Sequence, residues 1–310
     1  YQEELVPIVW SRLGNGNLAG STYRRVAMSS ASEPVFNGWH RHELGSGRLV
    51  TSLSSGPSVD GLLDSITLMT RDPETGLYHV EIMETMFDED NVLTDAWFLD
   101  NAVVPSAITS TTISGAPALR LFGLWHLNGK TVTAMIGGLD CGDFPVTEGY
   151  ITVPYSSNPL LTPAYLSGLS TAGVDYGDRA VSVDAGNWTI PAVVGFTFTS
   201  QGQVLRPNTP ETTGARQGPG FGKVRRGQKY AALFHNAQGV SVGTRFDKLE
   251  PVQFKDAAGN RLPKDVLFSG MHKDTLADDY SMNGMLAWEV SRPYPATIAA
   301  IGEMLATQDE

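Results

Sequence analysis

Residues Phe122 to Tyr155 read FGLWHLNGKTVTAMIGGLDCGDFPVTEGYITVPY, and their patterning decides the fold class. From Lys130 to Ile136, Val132, Ala134 and Ile136 alternate with Thr131, Thr133 and Met135, the period-two pattern of a strand with unlike faces. Gly137-Gly138 supplies a turn. After a loop closed by Glu148-Gly149, Tyr150 to Val153 alternates again, with Ile151 and Val153 on one face. The two strands read as a hairpin that needs a neighbouring sheet, because two strands alone bury too little apolar surface.

The same rhythm runs outward in both directions. Val6 to Tyr23 reads as a hairpin around Gly14-Asn15-Gly16-Asn17. Trp39 to Leu44 is a strand with Trp39, Arg41 and Glu43 on one face and His40, His42 and Leu44 on the other; Gly45-Ser46-Gly47 turns it and Arg48 to Leu53 returns. Ser65 to Arg71 and Tyr78 to Met83 flank Asp72-Pro73-Glu74-Thr75-Gly76, a tight-turn composition. Four short strands about every ten residues is the spacing of a propeller blade or half a sandwich. Further strands are expected at Trp188 to Ile190, Val193 to Ser200, Tyr230 to His235 paired with Val240 to Phe246, Val266 to Met271 and Leu286 to Val290. Ala296 to Ala306 fits either a strand or one to two helical turns. Ser156 to Asn187 reads as loop, with a weak strand at Ala180 to Val183; Asn158-Pro159 and Thr162-Pro163 discourage helix at their first members.

The expected fold is therefore all-β: β-propeller-blade-like hairpins followed by a β-sandwich- or barrel-like platform module with long loops. The expected division is a blade-like region at 1–100, a linker or insert at 101–121, the platform at 122–200, a Pro/Gly-rich basic arm at 201–229 and a β-rich region at 230–310. The start at Tyr1, without an initiator methionine, is expected to be a processed end or a fragment continuing an upstream propeller.

Composition bounds the function. At 310 residues the chain exceeds one ordinary core, and its 33 glycines and 18 prolines fall between short apolar runs. No apolar run approaches the ~20 residues that cross a bilayer and no signal peptide is visible, so no stable membrane insertion is expected. The single cysteine, Cys141, excludes an internal disulfide and a cysteine metal cage. A net charge of −11 argues against coating nucleic acid, yet suits a conduit wall that must let DNA slide.

That charge is unevenly placed. Between Asp72 and Asp100 stand Asp72, Glu74, Glu81, Glu84, Asp88, Glu89 and Asp90 with no lysine or arginine, a solvated connector or an acidic wall facing a channel. Between Thr212 and Phe246 stand Arg216, Lys223, Arg225, Arg226 and Lys229, then Arg245, with no carboxylate. The first five are candidate contacts with an acidic neighbouring subunit.

Chemical motifs fail one by one. His40-x-His42 puts two imidazoles on one strand face, but spacing fixes no third metal ligand. Gly218-Pro-Gly-Phe-Gly222-Lys223 has Gln217 where a phosphate loop needs glycine and Val224 where it needs Ser or Thr. Ser46 lacks a nucleophile elbow, and Cys141 lies between Asp140 and Asp143, which disfavour a thiolate. Paired glycosidase carboxylates are too unspecific a signal in so acidic a chain. Trp10, Tyr23, Trp39, Trp97, Trp125, Trp188 and Trp288 are expected to pack within strands rather than stack on sugars. No catalytic, cofactor or metal residue is assigned, and no enzyme activity is expected.

The order PIVW, LAGSTY, GWHRHELGSGRLVTSL, the pair SITLMTR and YHVEIM, AWFLD, and LWHLNGKTVTAMIGG with VTEGYITVPY resembles the C-terminal part of the tail nozzle proteins (tail tubular protein B type) of short-tailed bacteriophages. The resemblance covers roughly Pro7 to Phe246. It departs at Phe196-Thr197-Phe198, where a tyrosine-bearing strand is expected, in the longer insert Asn101 to Pro117, and in lacking the family's N-terminal portion. It implies a virion structural protein, made in the host cytoplasm, that forms a homohexameric ring in the tail. That ring would adjoin an adaptor ring and tail fibres or spikes and pass double-stranded DNA without binding it specifically. It implies no catalytic residue. The alternative is a β-propeller carbohydrate-binding or glycoside-active protein.

Overall fold

The computed structural model describes residues 7–22, 38–58, 63–87, 91–206, 224–277, 280 and 285–308. These residues are all-β apart from one α-helix and short 3-10 turns. The chain divides into two compact units, Tyr1–Phe87 with Leu99–Ala102, and Asp88–Phe98 with Val103–Glu310.

In the first unit, β1 (Ile8–Arg12), β2 (Leu18–Thr22) and β3 (Trp39–His42) form one antiparallel sheet. β4 (Leu49–Pro57), β5 (Asp64–Arg71) and β6 (Tyr78–Ile82) form another. Leu18, Val50, Ile66 and Leu68 are buried together, with Trp10, Leu44, Leu53 and Met83 against them, so strands of both sheets share one core. The hairpin expected between Trp39 to Leu44 and Arg48 to Leu53 does not form: β3 pairs with β2, and β4 pairs with β5. Ser46 and Gly47 both take positive φ, 58° and 65°. The chain there swings away instead of doubling back, and the Val50 amide donates to the Gly16 carbonyl at 2.7 Å.

Among the described residues the sheet of the second unit has eight strands, one of which, β7 (Asp100–Val103), has residues on both sides of the unit boundary. Its other strands are β8 (Ala107–Ile113), β9 (Ala116–Phe122), β10 (Thr131–Ile136), β11 (Leu139–Pro145), β12 (Tyr150–Pro154), β13 (Ala180–Val183) and β14 (Trp188–Phe196), with helix α1 (Pro163–Thr171) between β12 and β13. They lie in the order β11-β10-β14-β13-β8-β9-β12. Ile108, Leu119, Leu121, Ile136, Ile151 and Val194 belong to one core.

Three expectations are corrected here. The hairpin partner of β10 is β11, not β12: Ile136 faces Leu139 across Gly137 and Gly138, whose φ values of 60° and 78° make the two-residue turn that matches strand twist. β12 pairs with β9 instead, Ile151 opposite Leu121 and Val153 opposite Leu119. In addition, residues 101–121, expected as a linker or insert, contain all of β8 and most of β7 and β9. Hydroxyl residues on β8 hide the alternation there, although Ile108 is fully buried. Ser156 to Asn187, expected as loop, also holds α1: Thr162 itself stays extended, as the following proline requires, its hydroxyl accepts from the Tyr165 amide at 3.1 Å, and Pro163 occupies the first turn.

The remaining strands are β15 (Ser200–Gln203), β16 (Val224–Ala237), β17 (Val240–Gly243), β18 (Leu249–Pro251), β19 (Phe268–Thr275), β20 (Ala287–Val290) and β21 (Thr297–Gln308). They form two sheets, β15-β20-β17-β18 and β19-β16-β21, over a core that includes Tyr230, Phe234, Phe254 and Leu286. The expected hairpin of Tyr230 to His235 with Val240 to Phe246 is corrected, because β16 and β17 join different sheets at Gln238-Gly239. Of the expected arm at 201–229, residues 224–229 open the long strand β16 and 207–223 lie outside the described residues. Ala296 to Ala306 is strand, not helix.

Candidate functional site

The acidic candidates scatter. Asp72 is buried in the β5–β6 turn, where its Oδ1 accepts the amides of Glu74 at 2.8 Å and Thr75 at 3.3 Å. Glu81 points inward, accepting from the Thr70 hydroxyl and, at 3.5 Å, from the buried Arg48. Glu74 and Glu84 are exposed, while Asp88, Glu89 and Asp90 lie outside the described residues. Internal caps and ion pairs thus occupy Asp72 and Glu81. The outer face of this sheet carries apolar groups instead: Val80 and Ile82 on the edge strand β6 are 70% and 68% exposed, beside Tyr78 and Met69. The register accounts for this, since Met69 faces Val80 and Arg71 faces Tyr78, while Leu68 and Glu81 share the opposite side.

The basic candidates also separate. Arg225 is only 2% exposed and lies on the inner face of β16, where burial lowers its pKa, Arg206 adds to the fall and Glu303 opposes it. Arg226 and Lys229 are exposed on the outer face. Arg216 and Lys223 lie outside the described residues. Register again decides the neighbours. Leu233 faces Met271 on one side and Ala300 on the other, Ala231 faces Lys273, and Lys229 faces Met304. Met271 and Met304 are 57% and 58% exposed. The carboxylates of these strands, Asp274 and Glu303, both sit opposite Tyr230, whose side chain is buried, so by register they lie on the other side of the sheet from Leu233; the Asp274 side chain is 55% exposed there.

The chemistry-bearing residues read from the sequence take structural positions. His40 Nδ1 lies 2.6 Å from His42 Nε2, with the Trp10 ring 5.6 Å and 5.2 Å from the two imidazoles. Burial lowers both histidine pKa values, and the charge of His40 lowers that of His42 further. Among the described residues no group of three or more His, Cys, Asp or Glu side chains is placed to hold a metal. Burial, then Asp140, pushes the Cys141 thiol up to about 12, which disfavours the thiolate. The tryptophans divide: Trp39 and Trp125 are 70% and 69% exposed, against the expectation that they pack, and the Trp125 ring lies over Gly149, which leaves no room for a Cβ.

No family model matches this chain, and no curated protein matches it. The candidate site is thus defined by geometry alone: two exposed sheet faces, one apolar with flanking carboxylates and one apolar with cations. Sequence reasoning missed both. The signal was present, since Tyr78, Val80 and Ile82 alternate with His79 and Glu81, but alternation alone does not say which face is solvated. It also missed Arg292, which binds Asp140 and Asp143 from far along the chain.

Proposed function

We propose that this chain is a structural subunit of a bacteriophage virion, a tail-nozzle-type protein. It assembles as a ring, passes DNA without specific contacts, and meets an adaptor ring and fibres at the tail. We further read the first unit as blade-like and the residues of β8 to β14 as the platform module. The observation that carries the reading is the division of surface: an acidic chain places exposed lysine and arginine around an apolar sheet face on which, among the described residues, no carboxylate stands, and elsewhere exposes a second apolar face. Large exposed apolar faces with polar rims mark interaction sites rather than an isolated monomer. The order of strand motifs shared with tail nozzle proteins adds the biological setting. Mass photometry of the intact protein at micromolar concentration is expected to give one discrete multimer; a monomer alone counts against the proposal.

The second reading, carbohydrate binding, is favoured by one observation, the exposed indoles of Trp39 and Trp125. Glycan-array binding lost in Trp125→Ala, in a protein that does not assemble, would replace the first reading with this one.

A further inference from the structure

We infer that the outer face of the β19-β16-β21 sheet is one half of a head-to-tail interface, and that its occupant is the β5–β6 face of a second copy of this chain. The inference rests on the assembly proposed above and names the surfaces that make it. The cationic half has Leu233, Met271 and Met304 at its centre and Arg226, Lys229 and Lys273 around them. At about 3.3 Å per residue and about 4.8 Å between strands, this sheet presents roughly 600 Å², most of the about 800 Å² that each partner contributes to a specific interface.

Charge selects the partner. Two copies of this face cannot meet each other, because Arg226, Lys229 and Lys273 would oppose their own images. The remaining surface of a chain with net charge −11 is more acidic still. On that surface the exposed apolar face is that of Met69, Tyr78, Val80 and Ile82, flanked by the exposed carboxylates of Glu74 and Glu84. Arg71 also lies on that face, opposite Tyr78, and leaves the flank net negative. Among the described residues the strand β6 is an edge of its sheet, with no strand on its outer side. Unlike surfaces joined in this way propagate from copy to copy, and close into a ring when the rotation permits. An extended nucleic acid fits the cationic face less well, since its centre is aliphatic and methionine-rich and the exposed ring on β16, His235, stands towards one end.

The test mixes two intact variants in sedimentation velocity. Leu233→Asp disables the cationic half and leaves the other intact; Val80→Asp does the reverse. Each alone is expected to sediment as a monomer, with self-association weakened at least about tenfold, and the equal mixture is expected to form a dimer and nothing larger. The charge variants Lys229→Glu/Lys273→Glu and Glu74→Lys/Glu84→Lys repeat the design without touching apolar centres, each failing alone and associating when mixed. Wild-type assembly that survives Leu233→Asp or Val80→Asp overturns this interface and leaves the ring reading standing. A wild-type monomer at every concentration overturns both. Binding to a DNA duplex or to phosphatidylserine vesicles that Lys229→Glu/Lys273→Glu abolishes, without self-association, also overturns the inference.

Discussion

Arg292 grips Asp140 with two nitrogens, Nε to Oδ2 at 2.7 Å and Nη2 to Oδ1 at 2.6 Å, while Nη1 lies 3.2 Å from both oxygens of Asp143. The two carboxylates are three residues apart on β11, where a regular strand would point them to opposite faces. The irregular register opposite Thr133 and Met135, with Gly142 at φ 98°, brings them to one side. For Asp143, burial acts to raise the pKa, and hydrogen bonds from Thr133 and Arg292 outweigh it and hold the carboxyl low. Its contribution is therefore present above the ordinary carboxylate pKa and fades only in acid, as pH falls through the lowered value. Arg292→Ala is expected to cost about 2 to 3 kcal/mol in urea unfolding at neutral pH, because Asp140 is left partly buried without its partner. Arg292→Lys recovers less than half, since an ammonium lacks the fork.

The β10–β11 turn should be intolerant of side chains. A Cβ on Gly137, at φ 60°, would lie 2.5 Å from Leu169 Cδ1, and one on Gly138, at φ 78°, would lie 3.0 Å from the Leu93 backbone. Gly138→Ala is expected to destabilise by about 1 to 3 kcal/mol, more than Gly137→Ala, whose clash is with a movable leucine end. Thermal melts of the two variants measure the order directly.

Asp100 gives the first unit a distinctive pH response. Burial raises its pKa from 3.8 to about 6, the Gly45 amide at 2.6 Å opposes the rise, and Glu81 adds to it. A raised folded-state pKa means that the native state holds the proton more tightly, so this stabilisation is complete below pH 4 and is lost as pH rises through 6. Asp100→Asn keeps an acceptor for Gly45 and removes the buried charge. It is expected to stabilise the protein at pH 7.5 by on the order of 2 kcal/mol, with little effect at pH 4; urea titrations at the two values read the difference.

The histidine pair acts in the opposite sense. Lowered pKa values at His40 and His42 mean that unfolding takes up protons, so stability should fall as pH drops below 6.5. His40→Gln, which removes one imidazole of the touching pair, is expected to flatten the pH dependence between 6.5 and 5. An unchanged slope would place the acid sensitivity elsewhere.

Strand existence was legible because alternation survives in Val132 to Ile136, Ile66 to Thr70 and Tyr230 to Phe234. Pairing was not. The choice of β11 over β12 as partner of β10 turns on two glycines with positive φ, and the parting of β3 from β4 turns on Ser46, neither of which apolar spacing encodes. The candidate surface was half legible. A carboxylate-free run drew attention to Arg226 and Lys229, which are exposed, while Arg225 beside them faces inward by strand parity alone. Lys273, Met271 and Met304 join the same face only through cross-strand register, which relates residues far apart in the chain. The acidic run misled because Asp72 and Glu81 are consumed by a turn and by Arg48 and Thr70.

The central claim is that copies of this chain assemble into a ring around an open passage. Averaged electron images of the purified intact protein at micromolar concentration test it most directly. The account predicts closed rings of one subunit number with a central opening wide enough for duplex DNA. Isolated monomers, or open filaments with no closed form, would contradict it.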